Sequence, residues 1–290
     1  MSLYQLENNE IRIAVESHGA ELRSLVDIGT GREYMWSADP AYWGRVSPIL
    51  FPVVGSYRNG ESRYKGEVYK MSQHGFARDM DFMITEQTRE EIWFCLTDKD
   101  NTWEKYPFAF SLEVGYRLEG RSVRVLWRVN NPGQESMYFS IGGHPAFAAP
   151  KREQDKCTCY IGLAGADSLI ARKIKGGLAT DELQKIKLEK GGLLPVTEEL
   201  FADDALIVEE HQTGRVQLLD EEKVPYLTVA FDAPLFGLWT PPGKNAPFIC
   251  IEPWYGRCDR EDFEGELSER EWGNTLAPGE SFNASYTITT

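Results

Sequence analysis

The sequence predicts an all-β chain, one large antiparallel β-sandwich with few short helices. Three observations carry this: short apolar runs alternate with a period of two, turn residues separate them along the whole length, and amphipathic helical repeats are almost absent. In chain order the runs are Ile11–Val15, Ile92–Leu96, Leu112–Leu118, Val123–Val129, Val216–Leu219, Leu227–Phe231, Phe248–Ile251 and Phe282–Ile288. The clearest pair places Leu112, Val114, Tyr116 and Leu118 on one face. A turn follows at Glu119-Gly120, and Val123, Val125, Trp127 and Val129 continue the same face. That pattern predicts a hairpin with one buried side. Helical signal is confined to Thr102–Tyr106, one turn before Pro107, and Glu261–Trp272, a turn or two with Phe263 and Leu267 inward. Apolar periodicity fades over Lys151–Lys156 and Lys173–Gly192, which read as an insertion or mobile loop.

At 290 residues the chain has room for two domains, but sandwiches of this length occur as single units, and no repeat or low-complexity block divides it. We therefore expect one domain over residues 1–290. A 42% hydrophobic content with 8 Trp and 13 Tyr suffices for a sizeable core and for flat rings along a cleft. The net charge of −14 disfavours phosphate backbones and anionic membranes as partners. The first ten residues lack the basic start and apolar run of a signal peptide, and no run is long enough to span a bilayer, so a cytoplasmic location is expected. Five scattered cysteines fit reduced thiols better than a disulfide framework. Cys157-Thr158-Cys159 is half a zinc motif without its other half, so no structural metal is expected.

Only four histidines occur. His74, in Gln73-His74-Gly75-Phe76-Ala77-Arg78, and His144, in Gly142-Gly143-His144-Pro145-Ala146-Phe147, lie in glycine-flanked turns that can aim a side chain into a cleft. Such turns also hold histidines that merely satisfy backbone groups. His18 reads as a turn residue and His211 as an exposed hairpin tip. Glu252 closes the apolar strand Phe248-Ile249-Cys250-Ile251 and precedes Pro253-Trp254-Tyr255. A carboxylate there is costly to desolvate, so it needs a partner or a raised pKa that makes it a usable general base. Trp239, Trp254, Tyr255 and Phe147 are candidates to stack on a sugar, although each also suits a core. Arg45 and Arg78 sit beside apolar residues, where a buried pairing role and a ligand role stand equal. Arg58 reads as a solvated hairpin tip.

Five separated motifs, in order, carry a resemblance: His18-Gly19-Ala20-Glu21-Leu22; Trp43-Gly44-Arg45 with Pro48-Ile49-Leu50-Phe51-Pro52; Gln73 to Arg78; Gly142 to Phe147; and Ile251-Glu252-Pro253-Trp254. Over nearly its whole length the chain resembles the aldose 1-epimerases, or galactose mutarotases, in particular the bacterial branch related to hexose-6-phosphate mutarotases. The resemblance implies a galactose mutarotase-like supersandwich with a sugar cleft and no cofactor. It also implies roles: His144 as the acid at the ring oxygen, Glu252 as the base at the anomeric hydroxyl, and His74 as a second histidine that binds and polarises the sugar. Asp204, in Phe201-Ala202-Asp203-Asp204, is the implied grip on ring hydroxyls, with Asp203 adjacent. The segment around His74 is closer to the hexose-phosphate branch, whose arginines meet a phosphate, and Arg45 and Arg78 are the corresponding positions. Substrate contacts are thus expected from Arg45, Arg78, Asp204, Phe147 and Trp239, with a hexose or hexose phosphate as the ligand. A monomer and a homodimer are both compatible with the sequence.

Two other functions suit the same fold. A sugar-binding sensor without turnover needs stacking rings more than a poised acid and base. A polysaccharide lyase or hydrolase needs a long basic groove, which the acidic balance disfavours.

Overall fold

The structure is a computed structural model and describes residues 2–149, 159–163 and 165–290. Among them, two large antiparallel sheets face each other. The nine-stranded sheet runs, edge to edge, through Leu193–Pro195, Tyr160–Gly162, Arg215–Leu219, Pro225–Phe231, Ser281–Thr289, Ser122–Asn130, Ser111–Glu119, Glu91–Thr97 and Met83–Gln87. The second runs through Leu178–Lys187, Ser168–Lys175, Leu206–Val208, Leu235–Trp239, Phe248–Tyr255, Ile141–Gly143 and Ile49–Leu50, with Ala146–Ala148 also paired to Phe248–Tyr255.

The predicted hairpin forms in the predicted register: Val123 opposes Leu118, Val125 opposes Tyr116, Trp127 opposes Val114 and Val129 opposes Leu112. These side chains meet Ile249, Ile251, Phe236, Leu238 and Phe147 of the opposite sheet in one continuous buried cluster. Burying each such side chain contributes about 1.5–3 kcal/mol, which makes this interface the main stabilising feature. Every other strand anticipated from alternation is present.

Two local expectations are corrected and one is narrowed. Residues 173–187 are not a loop, and only 188–192 form a turn beyond the strands: Ser168–Lys175 and Leu178–Lys187 form a hairpin turning at Gly176-Gly177, both with positive φ. Its alternation is hidden because Leu178–Lys187 is an edge strand, exposed over most of its length, with Leu183 and Ile170 in solvent. The segment Glu261–Trp272 carries only a 3₁₀ turn, Leu267–Glu269, with Leu267 buried. Buried ion pairs, Arg270 Nε to Asp259 at 2.6 Å and Arg257 Nε to Glu209 at 2.6 Å, order that region in place of helical hydrogen bonds. Arg58 is not a solvated tip, since it donates to the Phe263 carbonyl at 3.3 Å and to Glu264 at 3.2 Å. The short helix near Thr102 spans Asp100–Trp103, where Thr102 Oγ1 accepts the Lys99 N–H at 2.9 Å. The expectations for Lys151–Lys156, Cys157 and Thr158 lie outside the described residues.

Candidate active site

The site lies on the outer face of the second sheet, and strand parity puts it there. Along Phe248–Tyr255, Ile249 and Ile251 face the sandwich core, so Phe248, Cys250, Glu252 and Trp254 face the other way. Glu252 pairs with Gly237 and Cys250 with Trp239 on the neighbouring strand, which brings Trp239 to the same face. Gly142 lies opposite Trp254 on the other side. A Cβ at Gly142 would stand 2.6 Å from the Trp254 ring and one at Gly237 would stand 2.5 Å from it. The indole therefore lies in a slot that only a glycine on each flanking strand leaves open.

A cavity of about 570 Å³ opens over this floor, within the range that takes a small polar ligand. His144, Glu252, His74, Arg78, Asp203, Asp204, Trp239, Trp254, Trp43 and Gln73 line it. His144 and Glu252 meet at its base, Nε2 to Oε2 at 3.3 Å, with side chains only 9% and 1% exposed. Burial pushes the Glu252 carboxyl well above its ordinary range, with Asp204 adding repulsion. Burial pulls His144 down to about 3, and Arg78 and Arg45 act in the same direction. The resting pair is thus a neutral acid beside a neutral imidazole. Trp43 stacks on His144 with ring centroids 4.7 Å apart, and Trp239 meets it edge-on at 5.4 Å.

His74 sits at positive φ, followed by Gly75, where a Cβ would fall 2.1 Å from the Phe51 carbonyl. The tight turn this permits lets His74 Nδ1 accept the Gly55 N–H at 3.1 Å. That bond leaves the ring proton on Nε2 and makes neutral His74 a hydrogen-bond donor. Burial, then the neighbouring His144, hold it well below the usual imidazole range.

Arg78 borders the cavity, donates to the Gln73 carbonyl at 2.7 Å and lies 3.7 Å from Asp79. Burial and the nearby Arg45 pull its guanidinium below its ordinary value. Arg45 donates to the other oxygen of Asp79 at 2.7 Å, and it is not among the residues bordering the cavity. One carboxylate thus partners both arginines. Glu21, from the first motif, accepts the Val46 and Ser47 N–H groups at 2.8 Å each and so fixes the segment that carries Trp43 and Arg45.

Asp203 and Asp204 both border the cavity. Asp203 is turned towards Lys173 at 3.8 Å, whereas the charge of Asp204 reaches Glu252. Asp204 adopts positive φ and accepts the Ala205 N–H at 2.8 Å. Phe147 is not brought to the cavity. Ala146 faces the site side, so the next residue points into the core, where Phe147 is fully buried. Tyr255 likewise packs towards the core. Residue-by-residue reading missed Trp43 and Gln73 as site residues, although both stand inside the motifs. His18 pairs with Asp81 at 2.8 Å, away from the cavity.

Comparison with known proteins agrees with this architecture. The family model described as Aldose 1-epimerase matches residues 2–289. LacX of Lactococcus lactis subsp. lactis is 30% identical over 295 residues, spanning 98% of this chain and 98% of that protein. A galactose mutarotase related enzyme from Lactobacillus acidophilus is 35% identical with a TM-score of 0.93, over 99% of this chain and 97% of that one. A galactose mutarotase-like protein from Lactobacillus casei is 28% identical with a TM-score of 0.92, over 99% of both chains.

Proposed function

The chain belongs to the aldose 1-epimerase family, a family of isomerases acting on sugars, and from that premise we propose that it interconverts the α and β anomers of an aldose at the His144–Glu252 pair. The observation that carries this reading is their 3.3 Å contact at the floor of the cavity. Anomer exchange removes a proton from the hydroxyl on the anomeric carbon and delivers one to the ring oxygen. Both oxygens are bonded to that same carbon, so acid and base must sit side by side.

In the proposed cycle, Glu252 as carboxylate takes the hydroxyl proton while His144 as imidazolium protonates the ring oxygen. The C1–O5 bond breaks, the aldehyde forms, rotation about C1–C2 exposes its other face, and the reverse transfers close the ring. The charged pair that starts the reaction and the neutral pair favoured by burial hold the same single proton. Its passage between Glu252 and His144 therefore needs no exchange with solvent. Positioned transfer of this kind contributes ~10²–10⁴-fold. His74 Nε2–H and Arg78 are donors to sugar oxygens in this reading, Asp204 accepts from ring hydroxyls, and Trp239, Trp254 and Trp43 supply apolar walls.

The test is exchange of saturation between the two anomeric proton signals of glucose, galactose and glucose 6-phosphate, with and without protein. Faster exchange on any of them supports the reading. Binding of a sugar without faster exchange would replace it with a sensor.

A further inference from the structure

A thiol beside the acid–base pair does not border the cavity and has no part in the proton transfers. Cys250 lies on the same strand face as Glu252, two residues away, and is fully buried. His144 nitrogen, Cys250 Sγ and a Glu252 oxygen all lie within 4.8 Å of one another. Glu252 Oε2, almost completely buried, stands 3.3 Å from His144 Nε2 without forming a hydrogen bond, and His144 Nδ1 has no hydrogen-bond partner. Zinc bonds of about 2.0–2.3 Å at the tetrahedral angle space their ligand atoms by roughly 3.4–3.6 Å. The His144–Glu252 edge is already 3.3 Å, and the remaining edges need to shorten by at most about 1.2–1.4 Å. Imidazole, thiolate and carboxylate form a borderline-soft set suited to zinc, and the cavity leaves the fourth position open to water. Trp36, Ala146, Ala246 and Phe248 surround Cys250 and keep the thiol side dry.

We propose that His144, Cys250 and Glu252 form a site for a thiophilic divalent cation, zinc above all, which binds in competition with the sugar and switches the enzyme off. Binding releases the Cys250 thiol proton and the Glu252 carboxyl proton to solvent and uses the Nε2 lone pair of His144. It therefore occupies the acid and the base at once. The inhibitory consequence rests on the acid–base reading above, whereas the metal site itself does not.

The experiment titrates the protein with Co²⁺ and reads the thiolate-to-cobalt charge-transfer band, then measures anomer exchange with Zn²⁺ and after EDTA. One equivalent of cobalt is expected to give the band, and zinc to inhibit reversibly. Cys250→Ala should abolish the band, keep basal turnover and weaken zinc inhibition by at least the roughly 10–100-fold that loss of an outer-shell partner costs. Cys258 also borders the cavity, so Cys258→Ala is the control and should keep the band. No band on the unaltered chain, or a band lost only in Cys258→Ala, overturns the site. Cobalt binding at the triad without anomer exchange would overturn the functional reading and leave the metal site standing.

Discussion

Replacing Glu252 by glutamine removes the proposed base while preserving its shape. Burial already favours the neutral carboxyl, which glutamine resembles, so the fold is expected to survive and turnover to fall. Loss of a positioned base costs ~10²–10⁴-fold, or about 3–5 kcal/mol of transition-state stabilisation. Stability should change with pH in a way that identifies the pair. The ordinary values are 4.5 for Glu252 and 6.5 for His144; the native values are raised and lowered to about 3 respectively. Below pH 4.5 the unfolded chain holds protons on both groups while the native pair holds one, so stability falls towards acid. Above 6.5 the unfolded chain holds neither, so over whatever range the raised Glu252 carboxyl still keeps its proton the stability falls towards alkali. Between these values both states hold one proton and the pair adds no slope. In Glu252→Gln the alkaline fall should vanish and the acid fall should begin near 6.5 instead of 4.5. Polarimetry gives the rate, and urea unfolding from pH 3 to 9 gives the stability. Near-normal turnover in the variant, or the same pH profile as the unaltered chain, would remove Glu252 from the base role.

The mirror substitution His144→Asn is expected to lose turnover on the same scale while retaining a cooperative unfolding transition; near-normal rates in polarimetry would remove His144 from the acid role. Arg78→Ala is expected to lower kcat/KM for glucose and glucose 6-phosphate by the same factor, because Asp79 already partners Arg78 and Arg45. A selective loss on the phosphorylated sugar would instead put a phosphate against Arg78. Gly237→Val drives a side chain into the Trp254 ring and should cost about 1–3 kcal/mol by overpacking, read from urea midpoints. Unchanged stability would mean that the indole moves aside freely.

Much of this was legible in the sequence because the signals are local. Alternation within one strand revealed the Ser111–Asn130 hairpin, and a lone carboxylate closing an apolar strand singled out Glu252. What escaped depends on which strands become neighbours. The slot for Trp254 is built by Gly142 and Gly237 on the two flanking strands, and nothing local announces it. Phe147 is an aromatic that suits a cleft or a core equally in sequence, and strand parity turns it into the core beside Ile249. Trp43 reaches His144 through a loop fixed by Glu21, a tertiary contact without a sequence pattern. The Ser168–Lys187 hairpin stayed hidden because solvent on both sides of an edge strand removes the selection for alternation.

Catalysis by the His144–Glu252 pair is tested by the rate of anomer exchange in the unaltered chain and in the Glu252→Gln/His144→Asn double variant, measured on the same sugar. Acceleration is expected with the first and only the uncatalysed rate with the second, no slower than the more impaired single variant because the two groups act as a unit. Acceleration that persists in the double variant, or its absence from the unaltered chain, would contradict catalysis by the pair.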